Sequence, residues 1–189
     1  MTIAGDRANR ADSTTLAGVW RVDPEQSRAG FVAATLRGAI KIPGAFGSLS
    51  GHLVVGTEAA GGTLTIDSSS VYTGNRMRDR HLRGRDFFDV ARHPQLSYEL
   101  RSLTPGRGRL VHLDGDLVVA GRRTPLRLEA TLRLREDRVA ELACRTRVDR
   151  VELGVRGARL LVPRAVELDV AVVLRPEDRG SGRQDYLSA

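Results

Sequence analysis

Apolar and polar residues alternate along most of the chain, which is the pattern of half-buried β-strands. The clearest run covers 126–135, where leucine and alanine alternate with charged or hydroxyl side chains. The same alternation predicts strands over residues 19–23, 27–36, 45–55, 62–71, 95–103, 111–119, 126–135, 139–149 and 165–174. About eight or nine strands in a meander are therefore expected.

The charges of two neighbouring runs predict how they pair. A turn over 136–138 joins them, and opposite charges then face each other on the polar side, Arg133 with Glu141 and Glu129 with Arg145. A slip of one residue would turn arginines toward the core, so this register is strongly specified. A further turn is expected over 120–123.

Residues 75–84 break the alternation and predict a short helix. Asn75 is a favourable N-cap and Gly84 a favourable stop. Phe87 and Phe88 follow directly. We expect these rings to dock the helix over one end of a barrel.

A meander with one apolar face closes most simply into an antiparallel β-barrel, whose interior is either packed or holds one small ligand. The fold class expected is all-β, with about eight strands, one domain over 18–175, a flexible arm over 1–17 and a disordered tail over 176–189. Residues expected to face the interior, and a ligand if one is held, are Phe31, Val111, Leu113, Leu117, Leu126, Leu128, Leu132, Leu142, Val166, Leu168 and Val170.

The chain carries a formal charge of +7, and Lys41 is its single lysine. The arginines are scattered and alternate with carboxylates, as on a solvated sheet face, so no specific nucleic acid partner is expected. Cys144 is the one cysteine, which excludes an internal disulfide. With neither a signal peptide nor a membrane-spanning run seen, a cytoplasmic protein is expected.

No motif predicts a metal, a cofactor or catalysis. The four histidines lack metal-ligand spacing, and no glycine-rich phosphate loop joins a strand to a helix. Asp79 and His81 are the one acid–base pair that could be drawn for an enzyme.

A family resemblance rests on residues 70–94, which include the string TGNRMRDRHLRGRDFFDVARHP. This segment resembles the central motif of the YceI family of lipid-binding proteins. Residues 20–27, 115–125 and 148–154 resemble further family segments in the same order. The resemblance implies an extended lipocalin-like barrel, capped at one end by the short helix, that binds a polyisoprenoid or a similar long amphiphile without established catalytic residues.

Within that motif, the residues expected to hold the helix to the barrel are Thr73, Asp79, His81, Leu82, Phe87 and Phe88. Arg76, Arg78 and Arg80 are candidates for holding an anionic head group. The leading hypothesis is a protein that carries or sequesters a long isoprenoid, quinone or acyl lipid. A packed interaction or stress module, an enzyme acting on an isoprenoid lipid, and a homodimer stay open.

Overall fold

The computed structural model describes residues 16–35, 40–157 and 163–177. Most of the predicted arm and tail lies outside these ranges. The described elements are β1 Gly18–Val22, β2 Arg28–Thr35, β3 Ile40–Phe46, β4 Leu49–Val55, β5 Ala60–Asp67, β6 Val71–Tyr72, α1 Arg76–Arg83, β7 Gln95–Pro105, β8 Leu110–Val119, β9 Arg122–Leu134, β10 Ala140–Asp149 and β11 Ala165–Pro176.

The strands form a closed antiparallel barrel. The ring runs β1-β4-β5-β7-β8-β9-β10-β11 and closes where β11 pairs with β1. β2 pairs with the other part of β11, and β3 and β6 continue the sheet from there. Each of the pairs β1–β2, β3–β4 and β5–β6 is therefore one long strand of the sheet with a break between its two parts. The prediction of an all-β antiparallel barrel of about eight strands with one short helix is confirmed.

The predicted register of β9 and β10 is confirmed at its turn and wrong farther along. Arg133 lies opposite Glu141, as expected. The pairing of the two strands ends at Ala130 and Cys144, and Arg145 binds Asp169 of β11 at 2.5 Å instead of facing Glu129. β10 follows β11 along its whole length while β9 follows β8, so the two strands diverge.

Two predicted boundaries differ because of glycine. Ala120 and Gly121 have φ angles of 47° and 74° and form a two-residue hairpin turn, so β9 begins at Arg122 rather than at residue 126. The expected strand 45–55 is two strands, β3 and β4, separated at residues 47–48. The first part of β3 was not predicted, because it contains Pro43 and Gly44 and both residue types are disfavoured within strands.

The end of the barrel at Trp20, called here the closed end, has a solid core. Trp20 is 2% exposed, and its indole nitrogen donates to the carbonyl oxygen of Leu16 at 2.7 Å. Buried residues from most strands surround it, among them Leu53, Leu103 and Leu174. Because these side chains meet in the middle, this end is sealed.

Arginine–carboxylate pairs cover much of the outer wall. Arg123 binds Glu99 through both terminal nitrogens, at 2.5 and 2.9 Å. Asp116 accepts from Arg101 and Arg123, and both hydrogen bonds hold the pKa of its carboxyl below the usual range. These contacts are the cross-strand equivalent of helix ion pairs and fix strand alignment.

Acid should weaken the barrel through these carboxylates. Hydrogen bonds from arginines lower the pKa of Glu99, Asp116 and Glu167 in the folded state. Their contribution to stability is therefore complete above the unfolded pKa of about 4 and is lost as the pH falls below it. Urea unfolding at pH 7 and pH 3 should show a lower free energy of unfolding at pH 3, with a smaller difference in the Asp116→Asn variant. An equal difference in the two proteins would contradict the role of Asp116.

Adding a methyl group at Gly115 should destabilise the wall. A Cβ there would lie 2.4 Å from the carbonyl oxygen of Glu99 and 2.8 Å from Tyr98 Cζ. Gly115→Ala should cost about 1–3 kcal/mol of unfolding free energy. Gly47→Ala is the matched control, since its nearest atom lies at 4.0 Å, and urea unfolding should leave it within about 0.5 kcal/mol of the parent.

Candidate functional site: an amphipathic lumen

The interior of the barrel holds a cavity of about 640 Å³. It runs from Val22 and Leu174 near the closed end to Leu153 and Val155 near α1. Its wall is made chiefly of Leu, Val, Ala and Phe side chains. Many of them are only partly buried, although they point inward, because they face open space rather than a neighbour. The interior is therefore open over most of its length.

Nine of the eleven residues predicted to face a ligand line this cavity. They are Phe31, Leu113, Leu117, Leu126, Leu128, Leu142, Val166, Leu168 and Val170. Val111 and Leu132 are 1% and 4% exposed, belong to the closed-end core and do not line the cavity. Both point inward, as expected, but at a height where side chains from other strands fill the barrel.

Much of the wall that precedes β8 carried no prediction. The additional lining residues there include Ala33, Ile42, Phe46, Leu64, Ile66, Ser97 and Tyr98. Cys144, Thr146 and Val148, which alternate with Leu142 on the apolar face of β10, line the cavity as well. The residues of β3 and β5 carried a weaker signal, because glycines interrupt their apolar pattern.

Three phenylalanines form one side of the cavity near α1. The ring centroids of Phe31 and Phe46 lie 5.8 Å apart, and those of Phe46 and Phe88 lie 5.6 Å apart. The far end of the Phe31 ring lies against Gly44, where a Cβ would lie 2.3 Å from Phe31 Cζ. Glycine on β3 therefore makes room for the ring inside the wall.

Tyr98 is the principal polar group in the middle of the cavity. Its hydroxyl lies 3.0 Å from the carbonyl oxygens of Leu113 and Leu126. Burial, followed by the charge of Asp114, raises the pKa of Tyr98. The hydroxyl is therefore neutral and turned toward the backbone, so the cavity keeps an apolar surface there.

Helix α1 presents different residues to each side. Asn75 Oδ1 accepts from the backbone N–H groups of Met77 and Arg78 at 3.1 Å, so Asn75 is the expected N-cap. Arg78 and Leu82, four residues apart, line the cavity together. Met77 and His81 form a second such pair that also lines it. The sequence prediction of this helix is confirmed, with Gly84 at its end.

Asp79 fixes the helix to the strand before it. Its carboxylate is 4% exposed and accepts from the backbone N–H of Thr73 at 2.9 Å and from the Thr73 hydroxyl at 2.5 Å. Arg78 donates to the hydroxyl and the carbonyl oxygen of Thr73, both at 2.8 Å. These bonds tie α1 to β6, the structural role expected for Thr73 and Asp79.

A second segment, residues 150–157, lines the cavity and contacts the residues that follow α1. Arg150 is 5% exposed and donates to the carbonyl oxygens of Val155, Gly157 and Pro163 at 2.7–3.0 Å. The N–H of Gly157 donates to the carbonyl oxygen of Asp86 at 2.7 Å. Arg150 therefore organises the segment that meets α1, a role the sequence analysis did not anticipate.

The cavity opens beside α1. Met77 lines the cavity and is 70% exposed, and Asn75 and His81 also combine both properties. Three neighbouring residues that both line the cavity and meet solvent indicate an opening here. Asn75, Arg78 and His81 line this mouth, whereas the end near Val22 and Leu174 is lined mainly by apolar side chains, so the lumen is amphipathic along its length.

The three head-group candidates occupy different positions. Arg78 lines the cavity, with its guanidinium hydrogen-bonded to Thr73. Arg76 and Arg80 lie on the outward side of α1 and do not line the cavity. The structure thus brings one of the three to the lumen and leaves two on the surface around the mouth.

The site contains few groups suited to catalysis. Asp79 and His81 are two residues apart on α1, so they face different directions, and Asp79 is engaged by Thr73. Burial raises the pKa of the Cys144 thiol and disfavours the reactive thiolate. No three metal-binding side chains come together among residues 16–35, 40–157 and 163–177. Nor is any helix in these ranges long and apolar enough to cross a membrane.

Solved structures share this fold. BcnA from Burkholderia cenocepacia superimposes with a TM-score of 0.73 at 20% identity, covering 80% of this chain and 98% of that one. A polyisoprenoid binding domain from Saccharophagus degradans, implicated in plant cell wall breakdown, gives a TM-score of 0.71 at 17% identity, covering 84% and 98% of the two chains.

Sequence comparisons identify the family. Protein YceI of Escherichia coli O157:H7 is 38% identical over 69 residues, 36% of this chain and 36% of that protein, so the alignment spans about a third of the length of the curated relative. Protein YceI of Salmonella arizonae is 36% identical over the same length. The model of the YceI-like domain matches residues 20–174, nearly the whole barrel. The chain therefore belongs to the YceI-like domain family.

Proposed function

We propose that the protein binds a long-chain amphiphile, such as a polyisoprenoid, quinone or acyl lipid, in its lumen and carries or sequesters it without chemical change. The observation that carries this proposal is a mainly apolar cavity of about 640 Å³ that opens beside α1. A cavity of this size is within the range that encloses a single small-molecule ligand. The family match and the polyisoprenoid binding domain among the structural neighbours support the same ligand class.

Apolar burial supplies the binding energy. The wall offers little hydrogen bonding to a ligand, since Tyr98 faces the backbone. Removing about 300 Å² of hydrocarbon from water yields ~7 kcal/mol, enough to retain a chain without specific polar contacts. Such a site selects by length, width and curvature, so a family of related lipids should fit.

The amphipathic lumen sets the direction in which the ligand enters. The chain would extend toward Leu174 at the closed end, and the head group would stay at the mouth. Asn75, Arg78 and His81 line that mouth and offer donors to a hydroxyl, carbonyl or phosphate head. Arg76 and Arg80 lie outside it, so we assign them no direct contact with the head.

Two alternatives are less well supported. A module with a packed interior would leave no cavity of this size, and here a cavity remains that is lined by members of both buried clusters, Leu53 and Leu174 from one and Val119 and Val155 from the other. An enzyme would need reactive groups directed at the ligand, whereas Asp79 is bound to Thr73 and Tyr98 is bound to carbonyl oxygens.

Filling the lumen should abolish binding. The protein should take up geranylgeraniol from an ethanol dispersion, and solvent extraction with mass spectrometry should recover it at about one per chain. Leu128→Trp places an indole in the lumen and should reduce the recovered amount at least tenfold. Thr131→Trp, on the exposed face of the same strand, is the control and should bind as the parent does. Equal recovery from both variants would contradict a lumen site.

Cys144 provides an internal reporter. It is the one cysteine of the chain, is half-buried and lines the cavity. Bound geranylgeraniol should slow its alkylation by N-ethylmaleimide several-fold, measured by intact mass. In about 6 M guanidinium chloride, which unfolds the protein, the alkylation rates with and without geranylgeraniol should become equal. Protection that persists after unfolding, or none in the folded protein, would contradict occupation of the lumen.

A further inference from the structure

Three of the large apolar side chains exposed in the described structure lie around the mouth. Tyr72 is 66% exposed, Met77 is 70% exposed and Ile40 is 49% exposed. Tyr72 immediately precedes the Thr73 turn into α1, and Met77 lies in the first turn of that helix. Ile40 shares a strand face with Ile42, which lines the cavity, and lies two residues nearer the strand end.

Unpaired positive charge accompanies these apolar residues. Arg76 and Arg80 lie one turn apart on the outward side of α1, both are exposed, and neither forms an ion pair within residues 16–35, 40–157 and 163–177. The helix contains four arginines and one aspartate, and that aspartate is buried against Thr73. Carboxylates that balance arginines elsewhere on the wall are thus absent from this outward helix face.

The opposite end of the barrel has a different surface. Val54 and Leu134 are exposed there, but the hairpin turns at that end also carry exposed carboxylates, Glu58 and Asp137 among them. Asp137 lies 3.5 Å from Arg135. Val54 and Leu134 are 43% and 38% exposed, less than Ile40, Tyr72 and Met77, so the more strongly exposed apolar side chains lie at the mouth end beside the unpaired arginines of α1.

We propose that Ile40, Tyr72, Met77, Arg76 and Arg80, called here the mouth rim, form a docking surface for an anionic lipid bilayer. Arginines near anionic head groups attract the protein electrostatically, and exposed apolar side chains insert at the interface. Charge complementarity favours a negative partner, and the apolar residues favour a bilayer over a nucleic acid or a carboxylate-rich protein.

Docking at the mouth rim would bring the entrance of the lumen to the membrane surface. This inference rests on the proposed function, since the mouth that the rim surrounds is the entrance for a lipid. A lipid that leaves a membrane through water exposes its whole apolar chain, which is the main free-energy cost of transfer. With the rim seated on the bilayer, the mouth faces the acyl region, and the chain passes from membrane to lumen with little contact with water.

Vesicle binding tests the proposal directly. The parent protein should bind vesicles of phosphatidylcholine with phosphatidylglycerol more tightly than vesicles of phosphatidylcholine alone, and high salt should weaken the binding. Arg76→Gln together with Arg80→Gln should lower the partition coefficient about 30-fold. Tyr72→Ser together with Ile40→Ser should lower it on both vesicle types.

A matched control places the same charge change at the closed end. Arg107 and Arg138 are exposed in turns at that end and form no ion pair within the described parts of the chain. Arg107→Gln together with Arg138→Gln should reduce the partition coefficient less than threefold. Equal losses from rim and control variants would show only a response to net charge, and would overturn a specific docking surface.

Uptake of geranylgeraniol from ethanol separates this proposal from the proposed function. The rim variants should bind the dispersed lipid as the parent does, since none of the four substituted residues lines the cavity. Their transfer of lipid from anionic vesicles should slow by at least tenfold. Normal uptake with unchanged vesicle binding would overturn the rim alone, whereas absent uptake by the parent would overturn the lumen site.

Discussion

Closure of the barrel depends on the backbone pairing of β11. This strand pairs with β10 along one edge, and with β1 and then β2 along the other. Between β1 and β2, the carboxylate of Asp23 accepts from the backbone N–H groups of Glu25 and Gln26 and from Arg175 at 2.7 Å. That turn keeps β1 and β2 on the same edge of β11. The ring therefore closes through β1, and the sheet continues from β2 into β3 and β6.

The interior of the barrel is packed at the closed end and contains the cavity toward α1, where the sheet extends beyond the ring. At the closed end, side chains from the ring meet around Trp20 and seal the barrel. Toward β2 and β3, β9 and β10 no longer pair beyond Ala130 and Cys144, and side chains on both strands, Leu126 and Thr146 among them, line the cavity. The segment around α1 and the segment held by Arg150 also line the cavity at this end.

Charge is distributed according to the same geometry. On the wall, arginines on adjacent strands lie beside carboxylates, and the pairs Arg123–Asp116 and Arg147–Glu167 join neighbouring strands. Around the mouth, Asp79 is hydrogen-bonded to Thr73, and the outward arginines of α1 have no carboxylate partner among the described residues. The buried network that positions the helix is therefore also what leaves its outer face positive.

The sequence by itself determined the barrel, the β9–β10 turn, the helix with its Asn75 cap and most of the inward face, because alternation, turn residues and caps act over a few residues. It also located the family through the segment following Thr73. Only the tertiary structure decided that Val111 and Leu132 are packed while Leu128 lines a cavity, since the difference lies in which side chains from other strands reach each height of the barrel. It likewise placed Arg78 at the lumen, left Arg76 and Arg80 outside it, and paired Arg145 with Asp169 rather than Glu129. Those outcomes depend on how distant strands diverge, which no local pattern records.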